Sequence, residues 1–224
     1  MFLLLVLSFC YCMTNPVISQ LKKAFFKATD LEILEISEGW LQNISHQPSP
    51  HFSCRSPEQE INLLVVHNIS LPPRQFGGTH IIDFFQGNLN VDADPYFREI
   101  YQLKVSAHCL INREGAITQF VSFNDKAWHA GVSLFQGKAQ CNDFSIGIEL
   151  EGADDIPYTN AQYQQLINIT LALGKSFPEI VKNEFEHIVG HSDIAPGRKT
   201  DPGEAFNWRC FYESLKQALT ADCK

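Results

Sequence analysis

The sequence has no CxxC pair, no internal repeat, no low-complexity linker and no apolar run long enough to cross a bilayer. Each absence closes a class. Without CxxC, zinc-ribbon and thioredoxin-type readings fail. Without about 20 consecutive apolar residues, no membrane-spanning helix is expected. Basic residues are in the minority: 17 Lys and Arg against 25 Asp and Glu leave a formal charge of −8. A general nucleic-acid binder needs a basic face, so nucleic acid is not an expected partner. What is present suits a packed core. Of 224 residues 45% are apolar and 19% charged, which excludes a disordered or collagen-like chain. The length fits one large domain, or one domain with an appendage. A domain of that size buries roughly 70% of its unfolded surface and needs no disulfide scaffold.

The seven cysteines are Cys10, Cys12, Cys54, Cys109, Cys141, Cys210 and Cys223. Their odd number and wide scatter suit a reducing compartment. The N-terminus pulls the other way. Residues 2–7 read FLLLVL, like a short signal-peptide core, but no basic residue precedes them and no A-x-A site follows. Initiation at Met13 would remove the run. Val17, Ile18, Leu21 and Phe25 fall at helical spacing with Lys22, Lys23 and Lys27 between them, a helix that packs on its own domain or on a surface. Residues 1–35 are therefore read as an extension, 36–218 as the domain and 219–224 as a tail.

Within the domain, Leu63–Val66 (LLVV) reads as a buried strand ending at His67. Ser70–Tyr96 reads as a long loop, with Asp94-Pro95 starting a helix through Tyr96, Ile100 and Leu103. Ala107–Asn112 and Ala116–Phe123 flank Glu114-Gly115 as a hairpin. Ser145–Glu151 (SIGIELE) alternates as a central strand. Thr159 and Gln162 form a capping-box pattern, and Leu166, Ile169 and Leu173 give the helix its apolar face. Gly174 and Pro178 are expected to end it. Ile188–His191 reads as a strand and Trp208–Leu219 as a last helix. This order predicts an α/β fold with a single mixed β-sheet flanked by helices.

Three residues could bind a metal: His67, His191 and Asp201, the last in a loop stiffened by Pro196, Gly197, Pro202 and Gly203. Two imidazoles and one carboxylate leave a fourth position on zinc for water. Their sequence separation alone does not single them out, because a lone His is more often structural.

The segments VVHNISLPP, VSAHCLI, AWHAG, CNDFSIGIELEG and GHSDIAPGRKTDPG do single them out. In series, from about Glu38 to about Phe211, they resemble the zinc-dependent N-acetylmuramoyl-L-alanine amidases, and within them the bacterial 1,6-anhydro-N-acetylmuramyl-L-alanine amidase type. The resemblance implies the amidase type 2, peptidoglycan-recognition-like fold and one Zn2+ held by His67, His191 and Asp201. It implies catalytic roles for Glu149, first glutamate of IELEG, and Lys199 of RKTDPG. The chemistry agrees. Amide hydrolysis needs an activated water, a proton carrier to the departing amine and a cation near the oxyanion.

Asn68, Lys104, Trp128 and His129 are the candidate substrate contacts. Trp128 offers a face to a sugar or a body to the core, and His129 a bond to a peptide or sugar oxygen. His108 is expected in the core or behind the ligands; His46, His51, His80 and His187 as structural or exposed. Lys104 and Gln140 stand where the resemblance expects Arg to meet stem-peptide carboxylates, so a different peptide selectivity or affinity is expected, the bidentate fork being lost at Lys104 and the charge at Gln140.

The implied reaction cuts between the lactyl group of (1,6-anhydro)-N-acetylmuramic acid and L-alanine. The partner is a muropeptide, the chain a cytoplasmic monomer without stable membrane insertion. An exported amidase acting on intact peptidoglycan is the alternative that FLLLVL supports. A non-catalytic peptidoglycan-binding module is the third reading; the intact ligand and catalytic positions oppose it. Of three N-x-S/T sequons, at Asn43, Asn68 and Asn168, the second adjoins a ligand and could not carry a glycan.

Overall fold

A computed structural model describes residues 34–222. The apolar N-terminal run and the Val17–Phe25 helix expected above lie outside them. Six strands form one mixed sheet: β1 (Ser45–His46), β2 (Leu63–Ile69), β3 (Cys109–Ile111), β4 (Ile117–Gln119), β5 (Ser145–Glu151) and β6 (Ile188–Gly190), in the spatial order β6-β2-β5-β3-β4-β1. The central pairings β6-β2, β2-β5 and β5-β3 are parallel. The hairpin β3-β4 is antiparallel, and β1 joins β4 in parallel. Among the described residues, five α-helices accompany the sheet: α1 (His80–Phe85), α2 (Phe97–Ile100), α3 (Asn160–Ser176), α4 (His191–Ile194) and α5 (Trp208–Asp222). The expected fold class is the observed one.

The central strands are covered on both faces, which is why LLVV is a continuous apolar run. Leu64 and Val66 share a core with Ile146, Ile148 and Leu150 of β5, Leu166, Ile169 and Leu173 of α3, and Phe211 and Leu215 of α5. Each such buried aliphatic side chain contributes about 1.5–3 kcal/mol of transfer free energy. The opposite face takes Leu63 and Val65, with Ala130, Cys141, Phe144 and Ile194. Strand period two then sends His67 to that second face with Val65, and Ser145, Gly147, Glu149 and Glu151 to it from β5. The alternation in SIGIELE separates a greasy helix-packed side from a chemically active one.

Four expectations are corrected. His67 lies inside β2, which runs on to Ile69. His191 does not close a strand; β6 stops at Gly190 and His191 opens α4. The segment between Ser70 and Tyr96 is not all loop. Ile81, Phe84 and Phe85 of α1 bury against Leu71, Leu89, Phe97, Ile100 and Phe120, a second small core that the surrounding glycines hid. Gly174 does not end α3, which runs to Ser176. A Cβ on Gly174 would stand 3.0 Å from Val181 Cγ2, so glycine is there for close approach.

The capping box is present: Thr159 Oγ1 accepts from Gln162 N–H, and Gln162 Oε1 from Thr159 N–H. Asp94 Oδ1 accepts from Tyr96 N–H ahead of α2, which ends at Ile100 and leaves Leu103 half exposed. The last helix runs three residues beyond Leu219, to Asp222. Cys54, Cys109, Cys141 and Cys210 are unpaired. No helix among the described residues is long and apolar enough to cross a membrane.

Candidate active site

The second face of β2 and β5 opens into a cavity of about 370 Å3. Eight of the nine residues singled out from sequence line it: His67, Asn68, Trp128, His129, Glu149, His191, Lys199 and Asp201. The exception, Lys104, is exposed between Leu103 and Val105, which do line it.

Three donor atoms converge. His67 Nδ1 is 3.0 Å from His191 Nδ1, and each is 3.0 Å from Asp201 Oδ2. The sheet delivers His67, the strand-to-helix turn delivers His191, and a clamped loop delivers Asp201. That loop is held by Asp201 O accepting from Ser192 N–H and by Pro202 O accepting from Tyr158 Oη–H at 2.7 Å. Gly203 follows at φ 82°, where a Cβ would meet Asp154 Cα at 2.1 Å.

Electrostatics keep His67 neutral and Asp201 ionised. Burial pushes the His67 imidazole down to about 4 against the pull of Asp201. Burial disfavours the Asp201 carboxylate, yet hydrogen bonds from both histidines hold it well below the usual range. Once both Nδ1 atoms have shed their protons, two imidazole lone pairs and a carboxylate point at one place and repel each other until a cation neutralises them. This donor set suits zinc. The back nitrogens are also engaged: His191 Nε2 lies 3.1 Å from Ala130 O, and His67 Nε2 2.9 Å from His129 Nδ1.

Glu149 is buried at 9% exposure, and its Oε2 has no hydrogen-bond partner. Burial, and then the neighbouring Asp201 charge, raise its carboxyl well above the usual range, while Lys199 draws it back. Such a carboxyl is poised to carry a proton. Asn68 spends its amide on Asp154 Oδ1 and Pro202 O, tying β2 to the Asp201 loop. Trp128 donates Nε1–H to Ser53 and stacks on His51, whose pKa is lowered by burial and by Lys104. Gln140 is exposed at φ 61°.

Sequence reading passed over several supporting groups. Glu151 accepts from Gly77 N–H and Arg113 N–H, pinning the Ser70–Tyr96 segment to the sheet; its place in the SIGIELE alternation was a usable signal. Arg55 donates to the carbonyls of Asn142, Asp143 and Ser145 and lies 3.2 Å from His108 Nε2. Nothing in its sequence context marks it. His108 was not passed over and lies in the core as expected: pushed down to about 3 by burial and then by Arg55, it accepts from Gly147 N–H at Nδ1.

Comparisons with known proteins agree with this geometry. The family described as N-acetylmuramoyl-L-alanine amidase (Amidase_2) matches residues 57–204. The 1,6-anhydro-N-acetylmuramyl-L-alanine amidase AmpD of Haemophilus influenzae is 55% identical over 185 residues, covering 83% of this chain and 99% of its own. That of Escherichia coli K12 is 56% identical, with the same coverage. A crystal structure of a selenomethionine AmpD derivative superposes with a TM-score of 0.76 at 54% identity, covering 80% of this chain and 98% of its own. A sheet that turns two histidines, an aspartate and a buried glutamate into one cavity, and relatives matched along nearly their whole length, lead to one assignment: this chain belongs to the N-acetylmuramoyl-L-alanine amidase family.

Proposed function

We propose that this chain is the zinc amidase of muropeptide recycling. It hydrolyses the amide between the lactyl group of 1,6-anhydro-N-acetylmuramic acid and L-alanine. The observation that carries the reading is the 3.0 Å convergence of His67 Nδ1, His191 Nδ1 and Asp201 Oδ2 beside the unpartnered Glu149 Oε2. His67, His191 and Asp201 would hold one zinc ion. When bound, it supplies Lewis-acid polarisation of the carbonyl and a water acidified toward pKa about 7.

The chain's own residues do the rest. Glu149 takes a proton from the attacking water as its oxygen bonds to the carbonyl carbon. Lys199 places an ammonium beside the developing oxyanion. Glu149 then passes its proton to the amide nitrogen, the C–N bond breaks, and the products are the lactyl carboxylate and the free amine of L-alanine. Trp128 offers its ring to the sugar, Asn68 its remaining oxygen to the substrate, and Lys104 at the rim its charge to stem-peptide carboxylates. The apolar wall of Leu71, Phe85 and Ile100 keeps bulk water from the reacting bond.

The catalytic unit is residues 36–218, acting as a monomer. A cytoplasmic site of action fits the unpaired state of Cys54, Cys109, Cys141 and Cys210 among the described residues. A net charge of −8 is against nucleic acid as a partner.

The test is a paired assay on zinc-loaded protein: soluble anhydro-muramyl tripeptide in one arm, intact sacculi in the other, each with and without chelator. Chelator-sensitive release of peptide from the soluble substrate alone is the expected result. Efficient release from sacculi would replace the recycling reading with that of an exported wall hydrolase.

A further inference from the structure

His67 and His191 have different partners behind them. His191 Nε2 meets a main-chain carbonyl, that of Ala130, at 3.1 Å. His67 Nε2 meets another imidazole, His129 Nδ1, at 2.9 Å, and His129 Nε2 lies 3.2 Å from Ser145 Oγ. The three side chains form a line leading away from the metal-binding point, and Ser145 is fully buried at its end. Both ring nitrogens of His129 are therefore taken up by protein groups. The slot that holds the ring is built for it. A Cβ on Gly147 would stand 2.4 Å from His129 Cγ, so only glycine on β5 admits the imidazole at this depth. The His108 ring packs edge-on at 5.7 Å and fixes the tilt.

We propose that His129 is a positioning residue that sets the tautomer and the aim of His67 through an imidazole-to-imidazole hydrogen bond, with Ser145 as its anchor. Proton counting gives the direction. A ligating His67 Nδ1 must be bare, so its proton sits on Nε2 and is donated to His129 Nδ1. The His129 proton then sits on Nε2 and is donated to Ser145 Oγ. A carboxylate in the place of His129 would add a second negative charge beside Asp201; a neutral imidazole accepts the same bond without it.

The inference rests on the zinc reading above, and the experiment separates the two. Zinc affinity is measured by chelator competition on folded wild type, His67→Ala, His129→Phe and His129→Asn. Loss of binding in His67→Ala upholds the metal site by itself. His129→Phe keeps a ring but no acceptor, and is expected to bind zinc about 10- to 100-fold more weakly. His129→Asn restores an acceptor near Nδ1 and is expected to recover most of that loss. Wild-type affinity in His129→Phe, with only KM raised, would overturn the proposal in favour of a substrate contact. Long-range proton–nitrogen NMR of the zinc-loaded wild type decides the matter even if the variants do not fold. A protonated His129 Nε2 with a bare Nδ1 is expected, and the opposite tautomer overturns the proposal.

Discussion

Glu149 and His67 stand on the same rung of the sheet, directly opposite each other on the parallel strands β5 and β2. Parallel pairing with matched pleat sends both side chains to one face. The group we assign to proton transfer is thus held by main-chain hydrogen bonds at a set height beside a group we assign to the metal. No loop intervenes between them.

Glu149→Gln keeps the shape and removes the proton carrier. We expect kcat to fall by about 10²–10⁴-fold, with zinc content unchanged. A loss below tenfold would remove Glu149 from the proton path. Stability should move the other way. The unfolded carboxyl ionises near its ordinary value, while the folded one keeps its proton to higher pH. Wild type therefore gains stability from this group in acid and loses it as pH rises. Chelated Glu149→Gln should melt above chelated wild type at pH 8; a lower Tm would contradict the raised carboxyl.

The buried imidazoles give the opposite pH dependence. Unfolded histidine takes up its proton near pH 6.5, but His108 in the fold does so only near 3. Between those values the unfolded state binds more protons, so stability falls as pH drops through that window. In chelated Glu149→Gln, where the opposing carboxyl is gone, Tm should fall from pH 7 to pH 5. A Tm that is flat or rising on acidification would refute a neutral, buried His108.

Removing zinc should abolish turnover without unfolding the chain, because the helix-packed core of β2, β5, α3 and α5 does not pass through the ligands. Far-ultraviolet circular dichroism should be unchanged by chelator, while Tm should rise on adding zinc back. At a thousandfold excess over Kd the stabilisation is about 4 kcal/mol. His67→Ala should remain folded and inactive, with no zinc-dependent rise in Tm. Retained turnover in that variant would sink the metal assignment.

Two glycines in one loop should respond differently to alanine. Gly203 and Gly197 both have positive φ, at 82° and 75°. An added Cβ at Gly203 meets Asp154 Cα, whereas at Gly197 nothing lies within 4 Å. Gly197→Ala should cost only the left-handed strain, about 1–2 kcal/mol. Gly203→Ala should cost more and weaken zinc binding as well, because the shift falls two residues from Asp201. Thermal melts and zinc titrations of the pair check this, and equal effects would contradict it.

Much of this molecule can be read along the chain. Period-two alternation placed SIGIELE as a strand, four consecutive aliphatics placed LLVV in the middle of a covered sheet, and Thr159 with Gln162 marked a helix start. These are local rules, set by backbone geometry and by what each face must bury. The motif segments likewise brought out the residues that line the cavity. Other features depend on contacts between distant segments. The helix His80–Phe85 forms because Ile81, Phe84 and Phe85 find Phe97 and Phe120 to pack against, not because of any cap. Gly174 is glycine within the helix because Val181 packs where a Cβ would stand. The sequence marked His129 as a candidate substrate contact. Only the fold set its ring over Gly147, between His67 and Ser145, where both nitrogens are taken. Residue chemistry decides which groups can ligate, donate or carry a proton. Which of them meet, and through which atom, is decided by how the strands and loops pack.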